Sequence, residues 1–471
     1  MPYSILIPCI GTRGDVQPFL ALAMGLTAAY PRGTFRFVIG THKDYLPFVE
    51  SHKEAASISD TFVVEPSISY LLKESPIGKQ MKQASIFSKM STTKSFMQEM
   101  HLGWTRSIKA ALDQHGPFDL LMLPTFAAQC GTLAIVKAMP APAPRILILH
   151  TVPSYPCSDF APPTAGVGGS APFAFLNSIM WSMGMRMVHN QIMYPVTAEV
   201  CKDVGVPHWP TASDLTSAVG MEKDWAIGHI YSKNVLPRPA TWPENHQVIG
   251  FLDYKPPPSK KDHDGLPDDL AKFMDAPESA NLPVVYVGLG SMLWVAFDSD
   301  DEAKSILQRL YSGLVAATAP PNPPKFRAIL HTVAGPNGQH FVPETMTDGV
   351  NVFLLNKPVP HDLLFPRCAL TVHHGGAGTL HTSLLHGCPS VIYACAKSTD
   401  QPFWAGIVAK AGMGVDGGMV HGITVKSVAA TVTKAVEGVK AMREKVEKVK
   451  EEMKKESAVG WVKEWIGPIP K

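Results

Sequence analysis

The chain has 471 residues, 45% hydrophobic and 17% charged, enough apolar content for two cores and a length that predicts two or three domains. Its 42 Lys+Arg and 40 Asp+Glu leave a formal net charge of +2, so no strong field points to nucleic acid. The 7 cysteines (Cys9, Cys130, Cys157, Cys201, Cys368, Cys388, Cys395) are scattered, with no CxxC or Cys/His cluster at zinc spacing, which predicts free thiols in a reducing compartment.

Met1–Ile10 is apolar without a basic start and is soon interrupted by Arg13 and Asp15, so it reads as an opening strand rather than a signal peptide. Short apolar runs bounded by turn residues predict strands over Ser4–Ile10, Phe35–Ile39, Phe118–Leu123 and Arg145–Leu149. Amphipathic stretches between them, such as Phe19–Ala29 and Met97–Leu112, predict helices, and the alternation predicts an α/β fold with a parallel sheet. The polar, proline-rich Lys255–Asp264 reads as an interdomain linker. A second series of strands is expected over Val284–Val287, Arg327–His331, Val350–Leu354, Leu370–Val372 and Ser390–Tyr393, with Pro320–Pro324 as a loop within it. Lys440–Lys455 is mostly Lys and Glu. Apolar residues at Val436, Val439, Met442, Val446, Val449 and Met453 still give it the buried stripe of one long helix. Trp461, Val462, Trp465 and Ile466 form a last apolar patch. No apolar run reaches the roughly 18 residues of a membrane span, so a soluble cytoplasmic protein is expected, with room for peripheral membrane contact.

His373–Thr379 reads His-His-Gly-Gly-Ala-Gly-Thr, between an apolar run at Cys368–Val372 and a helix-like stretch at Leu380–His386. Gly375, Gly376 and Gly378 let the backbone come close to a ligand at a strand-to-helix junction. The helix start then offers N–H groups and a positive dipole end to a phosphate. A plain tight turn is the alternative. Asp400-Gln401-Pro402-Phe403-Trp404 follows, and Asp400 with Gln401 could hold several hydroxyls at once, although a turn before Pro402 explains the pair equally.

Together these two segments resemble the donor motif of UDP-sugar-dependent glycosyltransferases of the GT-B fold, on the branch of the sterol glucosyltransferases and related natural-product enzymes. Gly11-Thr12-Arg13-Gly14-Asp15-Val16-Gln17-Pro18, Trp242-Pro243-Glu244, Gly250-Phe251, Tyr286–Met292, Val359-Pro360-His361-Asp362 and Leu364–Cys368 match the same branch in order. The resemblance implies two Rossmann-like doubly wound domains facing each other across a cleft. It places an N-terminal acceptor-binding domain over 1–252, a linker over 253–282, a nucleotide-sugar-binding domain over 283–455, and a tail over 456–471 that returns to the first domain.

The resemblance also assigns roles. The N–H groups of Gly376, Ala377, Gly378 and Thr379, with Gly375 and His373, would cradle the diphosphate; capping the strand is the other reading of His373. Gly290, Ser291 and Val359 join the donor side, and Asp400 and Gln401 would bind the sugar. Trp404 is either a cleft wall or a core tryptophan. Plant relatives carry a glutamate for the ribose where this chain has His381, which leaves the ribose contact open. No DxD pair suggests a metal, so no cofactor is expected beyond a nucleotide-sugar co-substrate, UDP-glucose being the best match. Asp15 stands where many relatives carry a histidine base, and Thr12, Arg13 and Gly14 flank it on the acceptor side; an N-cap is the alternative role for Asp15. His42 and His150 are lesser candidates.

Met81–Trp104 and Pro153–Met187, with Met90, Met97, Met100, Met180, Met183, Met185 and Met187, read either as adaptable walls for a lipophilic acceptor or as ordinary core. The activity implied is inverting, metal-independent transfer of a hexose to a sterol, terpenoid, hydroxylated lipid or polyketide, with no obligate protein partner. A catalytically inactive nucleotide-sugar or lipid-binding protein is the second class. A Rossmann oxidoreductase is disfavoured because no GxGxxG follows the first strand.

Overall fold

The structure is a computed structural model that describes residues 1–83, 89–129, 131–165, 174–209, 225–256, 266–276, 282–297, 299–319, 324–334, 339–340 and 350–469. Most of the expected linker run at 255–264 and of the loop at 320–324 lies outside these residues, as does part of the methionine-rich stretch.

The N-terminal half builds one parallel sheet from β1 (Tyr3–Pro8), β2 (Phe35–Thr41), β3 (Ile58–Val63), β4 (Leu120–Pro124), β5 (Arg145–His150), β6 (Ala226–His229) and β7 (His246–Val248), in the order β3-β2-β1-β4-β5-β6-β7. The C-terminal half builds β8 (Val284–Gly288), β9 (Arg327–His331), β12 (Val352–Leu355), β13 (Leu370–His373), β14 (Ser390–Ala394) and β15 (Gly414–Met419) into a second parallel sheet, ordered β12-β9-β8-β13-β14-β15. A two-residue antiparallel pairing of β10 (Val333–Ala334) with β11 (Gln339–His340) stands apart from both. In each sheet the chain winds outward from β1 or β8 in both directions, the doubly wound arrangement expected from the alternating pattern.

Continuous apolar strands follow from burial on both faces. Ile5 and Ile7 of β1 enter one core while Leu6 between them enters the opposite one, and all three are fully buried. In β8, Val285 and Val287 face one core and Val284 and Tyr286 the other.

Three expectations need adjustment. The first helix spans Arg13–Ala29, six residues earlier at its start than the predicted Phe19, because Pro18 is accommodated inside it. The long charged helix is two, Val425–Glu437 and Val439–Met453, broken at Gly438, which serves both as C-cap of one and N-cap of the next. Strands β3, β6, β7 and β15 were not expected; β15 reads Gly-Val-Asp-Gly-Gly-Met and has no apolar periodicity to betray it.

The two halves meet in a shared apolar cluster: Phe160, Trp181, Tyr231 and Trp242 pack with Leu380, Leu384, Phe403 and Trp404. The last helix, Ala458–Ile466, crosses back, burying Ala458, Val462 and Ile466 in the core of the first sheet. Arg145 at the start of β5 donates to the main-chain oxygens of Ile466 and Trp465, both at 2.9 Å, and its guanidinium lies 4.1 Å from the Trp465 ring centroid. A cation at the helix C-terminus satisfies carbonyls that have no partner within the helix. At the crossing point, Glu456 Oε1 accepts from Ser232 Oγ at 3.1 Å and Asn234 Nδ2 at 2.8 Å.

Candidate active site

The C-terminal ends of the central strands of both sheets open onto one cleft of about 2880 Å³, lined by residues from both halves. Single small-molecule sites are typically about 300–1,000 Å³, so there is room for two substrates side by side. Thr12, Arg13, Gly14 and Asp15 line it from the first half; Gly290, Ser291, Val359, Gly376, Ala377, Gly378, Thr379, Asp400 and Gln401 line it from the second.

Asp15 sits at the third position of its helix, half-buried. Its Oδ2 accepts the Thr12 N–H at 2.7 Å and the Thr12 hydroxyl at 3.1 Å, and the Asp15 N–H donates to the Thr12 main-chain oxygen at 2.9 Å. The carboxylate is therefore part of a helix cap and also faces the cleft: both side-chain bonds fall on Oδ2, and Oδ1 takes neither. Burial pushes its pKa above the usual carboxylate value against the opposing pull of the Thr12 bonds. Gly11 makes this placement possible: its φ is +136°, and a Cβ there would stand 2.2 Å from Asp15 Oδ2.

The glycine motif forms the turn between β13 and the helix Ala377–Leu385. Gly375 has φ +89°, and a Cβ on it would meet Ile392 Cγ2 at 2.6 Å and the Gln401 main-chain oxygen at 3.1 Å, so the turn packs against the Asp400-Gln401 segment. Gly376 is the N-cap and supplies no side-chain cap; of the first-turn N–H groups, that of Ala377 is taken by Asp400 rather than left for a diphosphate, while Gly378 and Thr379 line the cleft.

Asp400 is half-buried, with its pKa pushed up to about 6 by burial; bonds from the Trp404 indole, its own main chain and the Ala377 N–H oppose the rise, and the Asp15 charge adds to it. Asp15 and Asp400, on opposite walls, thus lie within electrostatic reach of each other. Gln401 is buried, and its Oε1 accepts the N–H groups of Cys395 at 2.7 Å and Ala396 at 3.3 Å, so only its amide nitrogen is left for a ligand.

Several expected residues sit differently. His373 is fully buried beneath the cleft, its Nδ1 accepting the Gly375 N–H at 3.0 Å, and it is His374 that lines the cleft. The His374 ring lies over the motif, so that a Cβ on Gly376 would stand 2.5 Å from Nε2. Burial lowers its pKa to about 4, and the ring is neutral near pH 7. Trp404 is not a cleft wall: it is fully buried in the contact between the halves. His381 is not at the cleft either; it stacks on Phe251 at 5.3 Å, and Thr382 faces the cleft instead. His42 is structural, bonded through Nε2 to the Gly11 N–H at 3.3 Å and through Nδ1 to the Val64 oxygen at 2.7 Å. His150 does line the cleft, paired with the Thr125 hydroxyl at 3.1 Å.

Of the methionines singled out, Met97, Met180, Met183 and Met187 line the cleft, Met100 is core, Met90 is exposed elsewhere, and the Met185 side chain is outside the described set. Sequence reasoning gave no role to Tyr45, Phe48 and Tyr254, which surround Arg13 at the cleft mouth; the Arg13 guanidinium lies 4.6 Å from the Phe48 ring centroid. No local pattern marks them, since Tyr45 and Phe48 come from the helical segment 43–50 and Tyr254 from a loop far later in the chain. Among the described residues no group of three or more His, Cys, Asp or Glu is arranged to hold a metal ion.

Two facing doubly wound sheets with a motif-lined cleft between them define the GT-B fold of glycosyltransferases. Residues 343–461 match the family described as erythromycin biosynthesis protein CIII-like, C-terminal domain. A sterol 3-beta-glucosyltransferase of Arabidopsis thaliana is 26% identical over 441 residues, 88% of this chain and 57% of the relative. A sterol 3-beta-glucosyltransferase of Cryptococcus neoformans is 26% identical over 480 residues, 97% of this chain and 26% of the relative. The chain thus spans about half, or less, of the length of these relatives. Among solved structures, the calicheamicin glycosyltransferase CalG4 superposes with a TM-score of 0.65 at 14% identity over 100% of both chains. A spinosyn rhamnosyltransferase complexed with thymidine diphosphate gives 0.59 at 13% identity, over 99% of this chain and 100% of that one.

Proposed function

We propose that the chain is an inverting glycosyltransferase that moves a hexose, glucose from UDP-glucose in the first instance, to a hydroxyl of a lipophilic acceptor. The observation that carries this reading is the opposition of Asp15, on the first half, to the Ala377 helix start and Asp400, on the second. In the proposed reaction Asp15 takes the acceptor hydroxyl proton as the oxygen attacks the anomeric carbon in line. The bond from that carbon to the diphosphate oxygen breaks, and UDP leaves with the electron pair. The Gly378 and Thr379 N–H groups, the helix dipole, Ser291 and His374 stabilise its charge without a metal. Asp400 and the Gln401 amide hold the sugar hydroxyls. The acceptor lies along Met97, Met180, Met183 and Met187, an apolar wall that suits a sterol, terpenoid or polyketide better than a sugar. The domain division follows: residues 1–252 bind the acceptor, 283–455 bind the donor, and 456–471 tie the two together.

The test is product mass spectrometry on a panel of lipophilic alcohols and nucleotide sugars, with and without EDTA. Transfer insensitive to EDTA and a β-linked product, read from the anomeric proton coupling, are expected. An α-linked product, or activity abolished by EDTA and restored by Mg²⁺, would overturn the mechanism.

A further inference from the structure

Asp400 is held by a group that no substrate can touch. Trp404 Nε1 donates to Asp400 Oδ2 at 2.9 Å, across the first turn of the helix Gln401–Ala411, while the Trp404 N–H donates to the Asp400 main-chain oxygen at 3.0 Å. The indole is fully buried. Its ring meets Tyr231, from the first half, with centroids 5.7 Å apart at 67°, and His381, from the motif helix, at 5.3 Å and 90°. His381 in turn stacks on Phe251 of the first half at 23°. The neighbouring Phe403 meets Phe160 of the first half at 5.6 Å. The residue that fixes one carboxylate oxygen of Asp400 is therefore itself held by Tyr231 of the opposite half and by His381, which Phe251 of that half backs.

We infer that Trp404 is a positioning residue for donor-sugar recognition: its indole N–H orients Asp400, and Tyr231 holds the indole, so that sugar binding depends on the packing between the two halves. This rests on the assignment of Asp400 to the sugar. The physical reasons are two. A carboxylate at the start of a helix has several rotamers, and a charge-assisted bond from a rigid, buried ring selects one. A ring packed edge-to-face on two sides has no room to turn, so the donor N–H stays aimed. If the halves separate, Tyr231 leaves the indole, and the indole bond, one of those that orient Asp400, loses its fixed aim, which ties sugar recognition to the closed arrangement of the cleft.

The experiment compares wild type, Trp404→Phe, Tyr231→Leu, Asp400→Ala and the double variant Asp400→Ala/Trp404→Phe, with folding checked by circular dichroism. UDP and UDP-glucose affinities are measured by calorimetry, and kcat/KM is followed against pH. Trp404→Phe keeps a ring and removes the N–H. It should leave UDP affinity within about twofold and weaken UDP-glucose about tenfold, the range for losing a hydrogen bond to a charged group. Its acid limb should move to higher pH, because the indole bond holds the Asp400 pKa down against burial and the Asp15 charge. Tyr231→Leu, which leaves the N–H in place, should shift the same quantities in the same direction by less. The double variant should lose no more than Asp400→Ala alone, the signature of a residue acting through another. Equal weakening of UDP and UDP-glucose, losses that add in the double variant, or an unmoved acid limb would overturn the inference. So would a normal sugar increment in a folded Tyr231→Leu, should Trp404→Phe fail to fold. If instead Asp400→Ala itself leaves UDP-glucose binding intact, the failure lies in the assignment of Asp400 and not in the role of Trp404.

Discussion

Replacing Asp15 with Asn separates its two structural roles. As a base, Asp15 supplies the proton acceptor for the attacking hydroxyl, and losing a general base costs about 10²–10⁴ in rate. At roughly 1.4 kcal/mol per decade that is about 3–5 kcal/mol of transition-state stabilisation. As a cap, Asp15 receives two bonds from Thr12 on Oδ2 alone, at 2.7 and 3.1 Å. The amide oxygen of Asn can accept both, so Asp15→Asn should keep the cap and unfold close to wild type. Asp15→Ala loses both bonds and should be destabilised by about 1 kcal/mol, the usual value for a lost helix cap. The assay is UDP release with a lipophilic alcohol acceptor, paired with urea melts and UDP calorimetry for each variant. Both variants should be slow to a similar degree, with UDP affinity retained and only Ala less stable. Removing the Asp15 charge should also lower the Asp400 pKa, since that charge helps to raise it. Turnover of Asp15→Asn within a few-fold of wild type would refute the base and leave only the cap.

The remaining expectations follow from burial and charge. Activity should fall as pH drops through about 6, where Asp400 takes up its proton, with Asp15 also shifted upward. The stability contribution has the opposite sign: a carboxyl with a raised folded-state pKa binds more protons folded than unfolded, so protonating Asp400 between about 6 and its usual 3.8 relieves a burial cost. Kinetics across pH 4–8 check the first, and the difference between wild-type and Asp400→Asn urea melts checks the second, because buried neutral histidines such as His374 lose stability over the same range in both proteins; a wild-type stability that falls relative to Asp400→Asn below pH 6 would contradict the assignment. Asp400→Ala should lower transfer severely with UDP affinity nearly intact; calorimetry showing equal loss for UDP and UDP-glucose would remove Asp400 from the sugar site. Val462→Ala in the returning helix, at a fully buried position, should cost about 2 kcal/mol in a urea melt of the whole chain, and no loss would mean that the helix does not anchor the first half.

The sequence on its own determined the sheets and the places where chemistry collects. Strands buried on both faces must be continuously apolar, so β1, β2, β4, β5, β8, β9, β13 and β14 stand out, and glycine at a strand end leaves a mark in any ligand-binding turn. Strands that earn their place by pairing rather than by pattern did not show: β15, with three glycines, is held by its ladder to β14. Residue identity also located Asp15, Asp400 and Gln401, but it could not say which atoms were free. Only tertiary packing decided that Asp15 is both cap and cleft carboxylate, that Gln401 spends its oxygen on the Cys395 and Ala396 amides, and that His374 rather than His373 faces the cleft. Adjacent histidines look alike in a string of letters. A strand sends successive side chains to opposite sides, and the sharp turn at Gly375 decides which side is the cleft. Trp404 is the clearest case, because nothing local distinguishes a wall tryptophan from a buried one: its place was set by His381, from the neighbouring motif helix, and by Tyr231, brought to it only when the two halves closed on each other.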